Sequence, residues 1–167
     1  TEYLIKWQNY SSYECSWEDE SHLTLDLISS FGKPFISQNR LQEGIDSLLY
    51  NLCVKLKAKS RSPHTFCFQH DVFRNLFSGK GNVSRDGKAM MMINNDFQHL
   101  PFPPAWGQSL DKNGDGVAIQ FPIRMQLHLS WSPRLTAFQD GKLVTKPRMP
   151  LEKLSVQFVR QPFSAFL

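Results

Sequence analysis

Trp7 and Tyr10 stand three residues apart in Tyr3-Leu4-Ile5-Lys6-Trp7-Gln8-Asn9-Tyr10, with Glu14 close behind them. An aromatic pair of this kind admits two uses. The rings can pack a small sheet onto whatever follows. Alternatively their faces can form two walls of a box for a cation, which a π face attracts by about 0.5–2 kcal/mol per good contact. A quaternary ammonium or a methylated lysine suits such a box, and the Glu14 carboxylate adds charge complementarity to it.

Three further groups carry potential chemistry. Lys55, Lys57, Lys59 and Arg61 place four cations in a short span that could meet the phosphates of DNA or RNA. Cations at the end of a helix are also favoured by its dipole and can simply be solvated. His64, Cys67 and His70 are spaced by three, but this is one ligand short of a zinc tetrahedron, and a strand entering a helix accounts for them. Asp111-Lys112-Asn113-Gly114-Asp115-Gly116 has the opening of a calcium loop, yet Pro122 stands where the bidentate Glu is needed. A turn between strands is the simpler reading. Asp86, Asp96, Asp111, Asp115, Asp140, Glu152 and the five histidines form no local base and nucleophile pattern. No catalytic residue, metal ligand or cofactor site is therefore assigned.

The elements that must position these groups are legible from periodicity. A strand beginning at Tyr3 turns at Gln8-Asn9 and meets a partner beginning at Cys15-Ser16-Trp17. Leu23 to Ile28 reads as a short helix, broken by Phe31-Gly32-Lys33-Pro34. Ser37 to Asn39 can cap a long helix whose Leu41, Ile45, Leu48, Leu49, Leu52 and Leu56 recur at helical spacing. Ser60-Arg61-Ser62-Pro63 reads as a link. A second helix follows Asp71, with Val72, Phe73, Leu76 and Phe77 as its buried stripe. Strands are expected at Met90 to Ile93, Val117 to Phe121 and Met125 to Trp131, then on either side of the Asp140-Gly141 turn, and last at Leu154 to Phe163 with an apolar tail. Leu100 to Gly107, with Phe102 and Trp106, reads as a groove filler.

Glu2-Tyr3-Leu4-Ile5-Lys6-Trp7 with Tyr10, followed by Ser16-Trp17-Glu18 and Leu23, resembles the second and third strands of a chromodomain of the heterochromatin protein and Polycomb kind. The resemblance is specific over residues 2–23 and implies that Trp7 and Tyr10 are two of the three walls of a methyl-lysine cage. It places Glu14 as the cage's acidic residue, Ser16 and His22 beside the bound peptide and Trp17 as a packing residue. The family's third wall lies on a strand that would precede Thr1. Asn9 replaces the Gly favoured in the family, and Asp19 replaces its usual Pro. Asn tolerates left-handed turns, so the first change is mild.

The expected fold class is α+β. A partial chromodomain-like antiparallel sheet with helices is expected over residues 1–35 and a helix and basic linker over 36–62. An interaction domain, α/β or mostly antiparallel β and built as a barrel or sandwich, is expected over 63–167. At 167 residues and a net charge of +4 the chain is mildly basic, too mildly for its charge alone to mark a nucleic-acid binder. No apolar run reaches the roughly 18 residues of a membrane span, so no membrane partner is expected. Three cysteines without framework spacing fit reduced thiols. The expected function is that of a non-catalytic nuclear module binding a methylated histone tail. A protein-binding scaffold that recruits another chromatin subunit is one alternative, and a nucleic-acid-binding part of a larger enzyme is another.

Overall fold

A computed structural model describes residues 1–145 and 147–164. Strand β1 (Glu2–Ile5) pairs antiparallel with β2 (Ser16–Asp19) in a two-stranded sheet, with Ile5 opposite Ser16 and Glu2 opposite Asp19. Helix α1 (Leu25–Gly32) follows, with the Thr24 hydroxyl accepting from the Leu27 amide. No residue before Ile36 is fully buried. This small unit therefore lacks a closed core and leans on its neighbour.

That neighbour is organised by α2 (Gln38–Lys57). Ser37 caps it by accepting from the Arg40 amide, and Leu48, Leu52 and Leu56 are fully buried, as the apolar stripe requires. Strand β3 (His64–Cys67) leads into α3 (His70–Phe77), which buries Val72, Phe73, Leu76 and Phe77. The two helices approach closely at Gly44, where a β-carbon would lie 2.6 Å from the Val72 Cγ1.

Both helices contribute to one core with an open antiparallel sheet. Strands β4 (Asn82–Val83), β5 (Met90–Met92), β6 (Gln108–Leu110) and β7 (Asp115–Trp131) precede a small hairpin of β8 (Thr136–Gln139) and β9 (Lys142–Thr145). Strand β10 (Pro150–Ser164) closes the described chain. The order is β3-β10-β7-β5-β4, and β6 pairs with β7 as well. The barrel or sandwich expected from sequence is thus corrected to a single sheet, because its inner residues Ile119, Ile123, Met125, Leu154, Val156 and Phe158 are covered by helices and not by a second sheet.

Two expected strands are one. Pro122 lies inside β7 where the partner register jumps, from Gln157 opposite Arg124 to Val159 opposite Gln120. The bulge removes the demand for an amide donor there, so proline does not end the strand. The hairpin turns where expected, with Asp140 and Gly141 both at positive φ. Phe102 and Trp106 join Phe97, itself fully buried, in a ring cluster that spans residues 73–121. The apolar tail after Ser164 lies outside the described residues.

Candidate functional site

The chain leaves β1 at Ile5 and must reverse before β2. Asn9 makes that turn in the left-handed region at φ 67°, a conformation its short polar side chain tolerates. The Tyr10 amide donates to the Trp7 carbonyl at 3.2 Å, and Lys6 Nζ donates to the Tyr10 carbonyl at 2.7 Å. A single 3₁₀ turn, Ser12–Glu14, completes the connection.

Trp7 is held by its edge. Its Nε1 donates to Ser16 Oγ at 2.8 Å, and that hydroxyl donates to Glu18 Oε1 at 2.9 Å. The ring is nevertheless 43% exposed, and Tyr10 is 59% exposed. His22 sits 3.9 Å from Glu18 Oε2, and Glu14 is exposed with no ion pair among the described residues. Asp19 accepts from the Ser21 hydroxyl and amide, which hold its carboxyl below the usual range. Ser16 thus acts on Trp7 through its hydroxyl, a role beyond the one expected for it.

An assembled cage is not found within residues 1–33. Among the described residues neither Trp7 nor Tyr10 meets another aromatic ring, and the aromatic cluster belongs to the other sheet's core. The physical reason is local: Trp7 is tied to β2 by Ser16, whereas Tyr10 lies beyond the Asn9 turn with its carbonyl taken by Lys6. Two exposed rings result.

The unit is fastened to α3 by residues that sequence reasoning did not single out. Arg74 places its guanidinium 3.8 Å over the Phe31 ring and donates from Nε to the Phe31 carbonyl at 2.8 Å. Asn75 Nδ2 donates to the Pro34 carbonyl at 2.8 Å. Phe31 in turn meets Tyr3 edge to face at 5.1 Å, which carries the anchorage back to β1. Burial pushes the Arg74 pKa down, opposed by Asp71 and Glu152.

The Chromo (CHRromatin Organisation MOdifier) domain matches residues 1–33. The match falls on β1, β2 and α1 and leaves the remainder of the chain unrecognised. No curated protein and no solved structure matches. Over that segment the chain is similar to a chromatin organisation modifier domain, a family associated with chromatin.

The four cations in the last turn of α2 and just after it do not share one face. Lys55 is only 2% exposed and donates from Nζ to the Ser60 carbonyl at 2.6 Å, whereas Lys57, Lys59 and Arg61 are exposed. Burial lowers the Lys55 pKa, and the neighbouring Arg160 lowers it further. Its position three after Leu52 places it on the buried stripe, a signal present in the sequence. Arg124 and Arg160, which share a cavity with Lys59 and Arg61, had no such signal.

The remaining candidates make hydrogen bonds within the fold. His64 Nε2 bonds Asn51 Oδ1 at 2.8 Å, His70 Nε2 bonds the Lys153 carbonyl at 3.0 Å, and Cys67 is exposed. Among the described residues no group of three His, Cys, Asp or Glu gathers to hold a metal ion. Asp111 Oδ1 accepts from the amides of Asn113 and Asp115, which closes the turn between β6 and β7. No helix of the described residues is long and apolar enough to cross a membrane.

Proposed function

We propose that this protein is a non-catalytic chromatin module whose chromo segment receives a histone-tail peptide and sets its methylated lysine against Trp7 and Tyr10. The observation that carries the reading is the state of Trp7: its edge is fixed by Ser16 and Glu18 while the ring stays open to solvent. A fixed, exposed indole loses little freedom when a cation settles on it. The β1–β2 sheet has only two strands, so backbone groups on its outer edges are available to an added peptide strand. Glu14 would contribute charge complementarity, and His22 and Ser16 lie on the same small unit.

Leu25, Leu27 and Phe35 are exposed around α1, and the unit is anchored to α3 through Phe31. These features favour a second reading, a scaffold that recruits another chromatin subunit. The two readings part at Trp7.

Titration of the whole protein with trimethylated, unmodified and tert-butyl-substituted histone peptides tests the proposal. The trimethylated form is expected to bind more tightly than its uncharged tert-butyl analogue. Trp7→Ala should lower its affinity by about 2- to 30-fold, the equivalent of 0.5–2 kcal/mol, with the circular dichroism spectrum unchanged. Equal affinity for the methylated and unmodified peptides would exclude reading of the mark and leave the scaffold.

A further inference from the structure

Beside the C-terminal half of β10 lies an open cavity of about 830 Å³, away from the chromo segment. It is bounded by the segment after α2 on one side and by the β7–β10 bulge on the other. Four cationic side chains line it: Lys59, Arg61, Arg124 and Arg160. None of its lining residues is acidic.

Little neutralises this charge. Lys59 and Arg61 make no ion pair among the described residues, and Arg160 has a buried Nε with no hydrogen-bond partner. Arg124 is half engaged, with Nη2 2.9 Å from Asp86 Oδ2 and 3.4 Å from Gln126 Oε1. Asp86 is itself held ionised by the Ser84 hydroxyl, the Lys88 amide and Arg124, so it remains a counter-charge to Arg124 alone among the four. Close to Arg160, the Lys55 ammonium is buried and bonded to the Ser60 carbonyl. Arg160 is partly exposed, and its orphaned donor together with the buried Lys55 ammonium adds positive charge on this side of the cavity that an anion would offset.

The rest of the lining is apolar or neutral. Phe121, Pro122, Phe158, Val159 and Met91 provide a wall for a flat or apolar body, and Gln120 and Gln157 add amides that can bond its edge. Small-molecule sites span about 300–1,000 Å³ and combine apolar walls with a few polar groups, which this cavity does. The guanidinium groups suit phosphate, which they can engage through two parallel bonds.

We infer that this cavity binds a nucleotide unit, its phosphate at Arg61, Arg160 and Lys59 and its base against Phe121 and Pro122. Such a unit can come from a free nucleotide or from a single-stranded nucleic acid. The inference does not depend on methyl-lysine reading.

Calorimetric titration of the whole protein with adenosine monophosphate, adenosine and a ten-residue oligoadenylate tests it. At least one phosphate-bearing ligand should bind saturably, and adenosine at least tenfold more weakly than the monophosphate. The double variant Lys59→Gln/Arg61→Gln changes two exposed side chains and should fold normally, while weakening binding about tenfold. Gln120→Glu, which sets a carboxylate in the lining without touching the basic groups, should weaken it similarly. A strand source is indicated if the oligoadenylate binds more tightly than the monophosphate with a steeper salt dependence, because each phosphate engaged releases counterions. Equal affinity for the two indicates a free nucleotide. Absence of saturable binding by either, or binding that both variants leave unchanged, overturns the assignment.

Discussion

Replacing Leu48 by alanine is expected to lower the free energy of unfolding by about 2–5 kcal/mol, and Leu52→Ala by a similar amount. Leu48 has no solvent exposure and Leu52 almost none. Both lie on the stripe with which α2 covers the sheet, within a cluster that includes residues of α3, β5, β7 and β10. Truncation removes methyl groups from a site packed on every side, and neighbours on three strands and a second helix cannot all move to fill the gap. Urea unfolding should show the midpoint falling with the slope unchanged, the mark of lost stability without a changed unfolded state. Stability equal to that of the parent in both variants would mean that α2 does not hold this core.

Gly116→Ala should be the most disruptive of the glycine substitutions. A β-carbon there would lie 1.8 Å from the Ser109 carbonyl oxygen and 2.9 Å from the Leu110 Cα. These are backbone atoms of β6, whose Leu110 is paired with Gly116 itself, so relief requires the strand to move off β7. Overpacking of this kind costs about 1–3 kcal/mol and sometimes more. The same change at Gly44 meets a side chain, Val72 Cγ1 at 2.6 Å, and not backbone, so relief there needs a small separation of two helices and no loss of strand pairing. Hydrogen exchange gives the clearest reading: amides of β6 and the start of β7 should lose protection in Gly116→Ala before the β7–β10 ladder does. Full protection of β6 in the variant would show that the close approach is not maintained in solution.

The cavity beside β10 and the chromo segment are separate proposals with separate tests. Loss of nucleotide binding in the Lys59/Arg61 variant need not alter peptide binding, and Trp7→Ala need not alter nucleotide binding. If both hold, the protein would bring a chromatin contact and a phosphate-bearing ligand onto one chain. Histone tails and nucleic acids occur together in chromatin, so the combination is chemically coherent.

What the sequence determined by itself was local. The stripe of α2 and its Ser37 cap follow from 3.6-residue spacing and from the need to satisfy the first amides of a helix. The left-handed turns at Asn9 and at Asp140-Gly141 follow from the residues that tolerate positive φ. The chromo segment was legible because its motif residues lie close together in the chain and match over residues 1–33. Only the tertiary structure decided the rest. Whether Val117 to Trp131 made one strand or two depended on a bulge against β10, which no local pattern around Pro122 records. That the sheet stayed open depended on helices covering its inner face. Trp7 and Tyr10 were readable as an aromatic pair, but whether their rings met depended on a hydrogen bond from Trp7 to Ser16 across the hairpin. Arg61, Arg124 and Arg160 come together only because β10 pairs with β7 while the segment after α2 runs past it, with the Arg61 carbonyl accepting from Gln157. Sequence spacing fixes which face of an element a residue occupies, whereas the charge gathered at one place is set by which elements pack, and those contacts join residues far apart in the chain.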